Sequence, residues 1–295
     1  MAVVGAGAVG TALARRLGAC GYAVRAVLSR SRSDAQALAE RVGASVASTE
    51  LKDLPSAVRL VMLCVPDEAI GSVGEHLAAL DHPWPRTIVA HTSGRKTAAA
   101  LAPLAQAGAL TLSFHPLQTF TPDTPPEAFE GIAVGVEGDR EAVAAGRGLA
   151  EALGARPVVL AAEDKARYHA AAALASNGLA ALMSVVQEVL PPLAEQEDDP
   201  AALFGPLVEQ TWENVKKGGA EGALTGPVAR GDRDTVTAHL EALKESTPHL
   251  VPLYAALSTE MARIAIRRGS LAPREARPLL KQLREAVQSA RESSQ

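Results

Sequence analysis

The stretch Ala2-Val3-Val4-Gly5-Ala6-Gly7-Ala8-Val9-Gly10 decides how this chain is read. Three apolar residues run into Gly-x-Gly-x-x-Gly, and residues 9–17 then carry apolar side chains at helical spacing. Strand, glycine turn and helix in that order form a turn that admits a dinucleotide. Gly5 permits the tight turn, Gly7 lets the backbone approach a pyrophosphate, and Gly10 lets helix and strand pack closely. The helix N-terminus at Ala8 and Val9 offers free N–H groups and a partial positive charge to the anion. The plain alternative is a glycine-rich turn that binds nothing, and the flanking strand and helix weigh against it.

Outward from this turn, apolar runs that read as strands recur at residues 2–4, 23–28, 60–65, 87–90, 110–114, 132–136 and 157–160. Helical spacing lies between several of them, at 9–17, 33–42 and 140–153. Strands alternating with helices predict βαβ units and a mainly parallel sheet. The unbroken apolar run at 60–65 fits a strand covered on both faces. From Glu163 onward no strand pattern recurs. Helices are predicted at 163–190, 201–217, 235–243, 248–268 and 272–291, the first stopped by Pro191 and Pro192 and followed by an acidic, proline-broken stretch at 195–200. The expected fold is α/β, with a dinucleotide-binding Rossmann-type domain at 1–162 and an all-helical domain at 163–295.

Composition narrows the function classes. A chain of 295 residues has room for about two domains. With 47% hydrophobic and 21% charged residues it buries a core and is not a disordered chain. A formal net charge of −4 gives no basic excess for nucleic acid or an acidic membrane surface. Two cysteines, Cys20 and Cys64, exclude a disulfide scaffold and a thiolate zinc cluster. The histidines and carboxylates show no metal-ligand spacing, so no metal is expected. No uninterrupted apolar run reaches the roughly 18 residues of a membrane span, and no signal segment is read at the start. The expectation is a cytoplasmic protein without membrane or nucleic-acid partners.

The cofactor is chosen at the end of the second strand. An NAD site places a carboxylate there for the ribose 2′-hydroxyl. Here the chain reads Ser29-Arg30-Ser31-Arg32-Ser33, with no carboxylate before Asp34. Two guanidiniums and three hydroxyls suit a 2′-phosphate, because arginine grips phosphate with a bidentate fork. NADP (as NADPH) is therefore preferred over NAD, with surface arginines as the alternative. Val65, Pro66 and Asp67 follow another strand end and are expected beside the cofactor, although Asp67 could instead cap the next helix. Cys64 reads as a small buried residue rather than a nucleophile.

Two further strand ends carry polar clusters, His91-Thr92-Ser93-Gly94 and Ser113-Phe114-His115-Pro116-Leu117-Gln118. Ser93 and Thr92 could hold a substrate carboxylate, and His91 and His115 could line the nicotinamide pocket. Strand termination and helix capping are the competing roles. The next candidate is the helix that begins near Glu163. Lys165 and His169 lie one turn apart on it. On an unbroken helix Ser176 would fall within about 20° of Lys165, and Asn177 about 80° from His169. Lys165 or His169 could protonate the atom that gains charge as hydride arrives, and Asn177 could orient either. A solvated lysine and a core histidine are the competing readings. Between two later helices, Thr225-Gly226-Pro227 and Arg230-Gly231-Asp232 read as a structural loop in which Arg230 and Asp232 could pair.

Together these motifs resemble a family of uncharacterised bacterial Rossmann-like proteins with a helical C-terminal domain of unknown function. The matching residues are Gly5 to Gly10, His91-Thr92-Ser93-Gly94, Ser113 to Gln118, Asp164-Lys165 with Tyr168-His169 and Asn177, and Thr225-Gly226-Pro227 with Arg230-Gly231-Asp232. The family looks like a branch of the superfamily of 6-phosphogluconate dehydrogenase, β-hydroxyacid dehydrogenases and pyrroline-5-carboxylate reductase. That resemblance implies a helical domain that carries substrate contacts and makes a homodimer, and a site in an interdomain cleft. β-Hydroxyacid dehydrogenases carry a Lys and an Asn one turn apart on the first interdomain helix. Lys165 occupies a similar place here, and His169 stands where that Asn would be.

The expected function is an NADP-dependent oxidoreductase acting on a small carbonyl, alcohol or imine, an acid by preference. The alternative is a non-catalytic NADP-binding sensor or scaffold.

Overall fold

A computed structural model describes residues 1–121, 123–190 and 200–292 and divides the chain into two compact units, Met1–Ser176 and Asn177–Gln295. The first unit holds β1 (Ala2–Val4), α1 (Ala8–Ala19), β2 (Ala26–Leu28), α2 (Arg32–Val42), β3 (Val46–Ser48), β4 (Leu60–Leu63) and α3 (Ala69–Ala78). It continues with β5 (Ile88–His91), α4 (Ala102–Gln106), β6 (Leu110–Pro116), β7 (Ala133–Gly138), α5 (Arg140–Ala152), β8 (Arg156–Val159) and α6 (Lys165–Ala175). The eight strands form one sheet in the order β3-β2-β1-β4-β5-β6-β7-β8. Every neighbouring pair is parallel except β6 and β7. The mainly parallel, Rossmann-type sheet expected from the sequence is the observed one. Its order reverses at β1, and α/β sheets bind ligands beside such a switch point, at the carboxyl ends of the strands.

The exceptional pair has a local cause. Parallel neighbours need a crossover of a dozen residues or more, usually through a helix. The connection from β6 to β7 is long enough, but among the described residues it contains a short 3-10 turn, Pro126–Phe129, and no crossover helix, and the chain returns antiparallel. The resulting register sets Ser113 opposite Glu137 and His115 opposite Gly135.

Alternation along the strands explains their unbroken apolar runs. On β1, Val3 enters the core shared with Leu13, Leu17, Met62 and Phe114, while Ala2 and Val4 enter the opposite one with Ile70, Leu77 and Leu104. β2 starts at Ala26, not at residue 23; Ala26 pairs with Ala2 at the start of β1, and Arg25 before it still donates its N–H to the Met1 carbonyl. β3 is a strand that the sequence reading does not find. Its three residues pair with β2 only after α2 has stopped at Gly43, which is in the left-handed region.

The second unit is helical, as expected: α7 (Asn177–Val189), α8 (Pro200–Ala223), α9 (Pro227–Arg230), α10 (Arg233–Ser246), α11 (Val251–Arg267) and α12 (Pro273–Glu292). Val236, Leu240, Val251, Leu279 and Leu283 are buried together at its centre. The predicted stops at Pro191 and Pro192, and most of the acidic break at 195–200, lie outside the described residues. The helix predicted over 163–190 is not continuous. It breaks at Ser176 into α6 and α7, and the compact units divide at that point, so α6 belongs to the first unit, where Lys165 and Tyr168 bond to β6.

One helical stretch passes a membrane measure that the search for an apolar run does not apply. The 28-residue stretch Ala162–Val189 contains an 18-residue window with a mean hydropathy of 1.4, apolar enough by that measure to cross a membrane. Its alanines raise the mean without forming an uninterrupted apolar run, which is why a search for such a run passes over it. The hydrogen bonds of Lys165 to Ser93 and Ser113 tie the start of this stretch to the sheet.

Two glycines of α5 test the packing. A Cβ at Gly146 would lie 2.6 Å from both Leu112 Cδ1 and Val136 Cγ1, whereas one at Gly148 meets nothing within 4 Å. Ala in a helix interior gains up to about 1 kcal/mol over Gly, and overpacking costs about 1–3 kcal/mol. Gly148→Ala should therefore raise the urea midpoint and Gly146→Ala should lower it. The same direction for both would show that propensity alone governs this helix.

Candidate functional site

The glycine turn joins β1 to α1 in the geometry the fingerprint requires. Gly5 has φ +101°, a conformation that L side chains rarely adopt, and its N–H donates to the Leu28 carbonyl at 2.7 Å. A Cβ at Gly5 would overlap the Cys64 carbonyl, and one at Gly10 would overlap the Gly5 carbonyl. At Gly7 a Cβ would meet nothing within 4 Å. The turn is thus closed on its protein side and open where Gly7 leads into Ala8 and Val9. A cavity of about 470 Å³ lies there, lined among others by Gly5, Gly7, Ser29, Arg30, Val65 and Pro66.

At the end of β2 the expected residues divide into two roles. Ser31 caps α2 by accepting the Asp34 N–H at 3.3 Å, and its hydroxyl also meets that of Ser33 at 2.9 Å. Ser29 donates its N–H to Ser48. Arg30 and Arg32 are exposed, and neither forms an ion pair with another described residue. Asp34, the first carboxylate after the strand, also lines the cavity. Asp67 does not cap α3, whose N-cap is Glu68, and instead faces Arg95 at 3.7 Å. The Cys64 thiol is pushed up to about 12 by burial, with Thr92 as its hydrogen-bond partner, which fits an inert thiol.

The loop after β5 is held from within. Nδ1 of His91 accepts the Ser93 N–H at 3.2 Å, and Nε2 lies 3.0 Å from the Thr97 carbonyl, to which it can only donate. Both ring nitrogens are therefore used inside the protein. Burial holds this imidazole down at about 4, so it is neutral at pH 7. Ser93, a candidate for substrate contact, accepts the N–H groups of Arg95 and Lys96 on its hydroxyl and so closes the turn. Glu137 on β7 anchors the far end of the loop, accepting the Ala98 N–H at 2.8 Å.

Lys165 is the most unusual side chain in this unit. It opens α6 yet is only 1% exposed. Its ammonium donates to the Ser93 carbonyl at 3.2 Å and to the Ser113 hydroxyl, which itself donates to the same carbonyl. Among the described residues, no carboxylate lies within ion-pair distance of it. Burial lowers the ammonium to about 8, while the carboxylates of Glu137 and Asp67 act in the opposite direction.

His115 stands one residue pair further along β6. Its Nδ1 lies 3.1 Å from Tyr168 Oη, and the rings of Tyr168 and His169 meet it edge-on at 5.6 and 5.9 Å. Burial and the charge of Lys165 lower His115 to about 4. Gly94 lies against this cluster, since a Cβ there would be 2.5 Å from His169 Nδ1 and 2.8 Å from His115 Nε2. His169 itself is exposed. Ser93, His91, His115, Lys165 and His169 thus come together near the ends of β5 and β6.

Asn177 is exposed at the start of α7, in the second unit, and the break at Ser176 removes the helical phase that linked it to His169. Arg230 and Asp232 form no ion pair. Asp232 instead caps α10, accepting the Thr235 N–H at 3.1 Å and its hydroxyl at 2.7 Å. Three contributors went unassigned in the sequence reading: Ser113, Tyr168 and Glu137. Glu137 leaves one faint signal, a carboxylate that directly follows an apolar strand run.

Residues 1–116 match the Rossmann-like domain family, and residues 132–261 match a domain of unknown function (DUF2520). No curated protein sequence matches the chain. Among solved structures, a Thermotoga maritima protein is 28% identical, with a TM-score of 0.71, covering 90% of this chain and 97% of its own. A Bacteroides fragilis protein described as an NADP oxidoreductase is 24% identical, with a TM-score of 0.72, covering 89% of this chain and 97% of its own. A pyrroline-5-carboxylate reductase from Coxiella burnetii is 16% identical, with a TM-score of 0.56, covering 90% of this chain and 97% of its own. The resemblance expected from the motifs therefore holds: a Rossmann-like domain and a domain of unknown function, on a fold shared with NADP oxidoreductases and reductases.

The buried neutral His91 makes stability depend on acid. Its pKa is lowered on folding, so the unfolded chain binds the extra proton first, and stability falls as pH drops from 6.5 toward about 4. Between pH 7 and 5 this loss is about 2 kcal/mol. Urea unfolding of His91→Asn should show an acid-induced loss smaller by that order than the wild type shows. Equal losses would remove His91 from the acid response.

Proposed function

We propose that the chain is an NADP-dependent oxidoreductase that moves hydride between the nicotinamide and a small carbonyl, alcohol or imine substrate bearing an acid group. The observation that carries this reading is the buried ammonium of Lys165, held by a carbonyl and a hydroxyl near the ends of β5 and β6 in a unit that also carries an open glycine turn. A binding protein without catalysis has no evident use for so costly a charge.

The residues fit the dinucleotide. Gly7 leaves the cradle open, the first turn of α1 offers N–H groups to a pyrophosphate, and the exposed Arg30 and Arg32, which pair with no described carboxylate, suit a 2′-phosphate. When bound, the nicotinamide supplies the hydride chemistry. The protein supplies a proton and a shaped electrostatic field. Below about pH 8 Lys165 is an ammonium that can give a proton to an oxygen or nitrogen gaining negative charge. The Ser93 carbonyl and Ser113 hydroxyl aim it. Arg95 and Lys96, on the same loop as Ser93, suit a substrate carboxylate.

The reading also includes a homodimer. Leu174, Leu179, Leu182, Leu203, Leu207 and Trp212 are exposed, and apolar surface on this scale calls for a covering partner. Light scattering should give twice the mass of one chain, and a monomer would end this part of the proposal.

Titration followed by nicotinamide fluorescence should show NADPH binding more tightly than NADH. Gly7→Ala, which fills the cradle without a clash, should weaken NADPH binding while leaving the urea midpoint close to wild type. With any turned-over substrate, Lys165→Met should lower kcat by about 10²–10⁴-fold, and wild-type reduction should decline as pH rises through about 8. Nucleotide binding absent for both cofactors would overturn the proposal.

A further inference from the structure

We infer that Tyr168 is a positioning residue for His115: its phenol hydroxyl donates to Nδ1 and fixes the imidazole as the Nε2–H tautomer, which presents a neutral N–H donor to a carbonyl or carboxylate oxygen of the substrate. The identity of that oxygen rests on the proposed function. The tautomer does not.

The sheet creates the contact. The antiparallel pairing of β6 with β7 sets His115 opposite Gly135. Tyr168 on α6 lies over that glycine, where a Cβ would be 3.0 Å from Oη and 3.2 Å from Cζ. A side chain at position 135 would therefore crowd the phenol and Leu160, which would have to give by a few tenths of an ångström. With that space open, Oη reaches His115 Nδ1 at 3.1 Å while the two rings meet at 89°.

The direction of the hydrogen bond follows from counting donors and acceptors. His115 is neutral, so one ring nitrogen carries a proton and the other accepts. Among the described residues, Tyr168 Oη has no hydrogen-bond partner besides Nδ1. If Nδ1 donated, both the phenol proton and the bare Nε2 would be left without a described partner, whereas a donating phenol leaves only the Nε2–H open. If the phenol donates, its proton is satisfied and the imidazole proton is sent to Nε2. Burial raises Tyr168 above the ordinary phenol value, which keeps that proton on the oxygen.

Nε2 is the open end of this pair. It bonds to no described residue, and it is not among the sealed, unpartnered atoms, which are Trp84 Nε1 and Gln282 Oε1. It lies beside Gly94, on the loop whose Ser93 carbonyl accepts from Lys165. A neutral donor and a buried ammonium near one another make a field that an oxygen can enter, while a second cation cannot. This contrasts with His91, whose two nitrogens are both used within the protein.

Histidine-selective ¹⁵N NMR of the full chain tests the assignment, with the His115 signals identified by their loss in His115→Gln. The wild type at neutral pH should show Nε2 protonated and Nδ1 bare. Tyr168→Phe, which keeps the ring and deletes the hydroxyl, should convert this to a mixture of tautomers. Gly135→Ala, which keeps the hydroxyl and crowds it, should shift the tautomers less, in the same direction. A wild-type His115 protonated on Nδ1, or a tautomer unchanged in Tyr168→Phe, would overturn the inference. The spectra need no nucleotide, so a failure to bind NADPH would count against the proposed function alone.

Discussion

The ammonium of Lys165, buried on the Ser93 carbonyl and the Ser113 hydroxyl, is the interaction around which the first unit's polar cluster is arranged. It pins the first turn of α6 to β6 and to the loop after β5. Tyr168 and His169, one turn further along the same helix, thereby come to stand against His115. Taking an ammonium out of water costs several kcal/mol even after relaxation. Hydrogen bonds to a charged group return about 1.5–3 kcal/mol each. With two such bonds the terms nearly cancel, so the contact contributes geometry and a lowered pKa rather than stability. A leucine at this position would pack at less cost and hold no proton.

Two histidines on neighbouring strands show how much the surroundings decide. His91 and His115 are both lowered by burial to about 4. His91 gives each nitrogen to the backbone of its own loop and acts as an internal brace. His115 spends one nitrogen on a phenol and leaves the other open. Ring chemistry and charge state are the same in both, and only the second can meet a ligand. The loop braced by His91 is in turn the one that carries the Ser93 carbonyl, so the sealed histidine serves the site through backbone position.

The glycine turn, the parallel core and the helical second half are legible in the sequence because each rests on local constraints. A glycine at a positive φ, a strand apolar on both faces and a helix of 3.6-residue period leave a mark within ten or so residues. β3 leaves none, because it is an edge strand whose Val46 and Ala47 are only half-buried and whose three residues form no apolar run. The break at Ser176 leaves none either, since the alanines on both sides favour helix. That break explains why helical phase predicts Lys165 beside His169 correctly, while Asn177 falls outside the pattern.

The sequence by itself determined the dinucleotide turn, the mainly parallel sheet and the presence of Lys165, His91, His115 and His169 among the polar residues worth attention. It could not say which of them are spent on the protein and which are open. The tertiary structure decided that Ser93 closes a turn, that His91 is sealed, that Glu137 anchors the loop and that Tyr168 reaches His115. The reason is the antiparallel return of β7. It sets Gly135 opposite His115 and Glu137 opposite Ser113, pairs separated by about twenty residues in the chain and joined only by hydrogen bonds across the sheet.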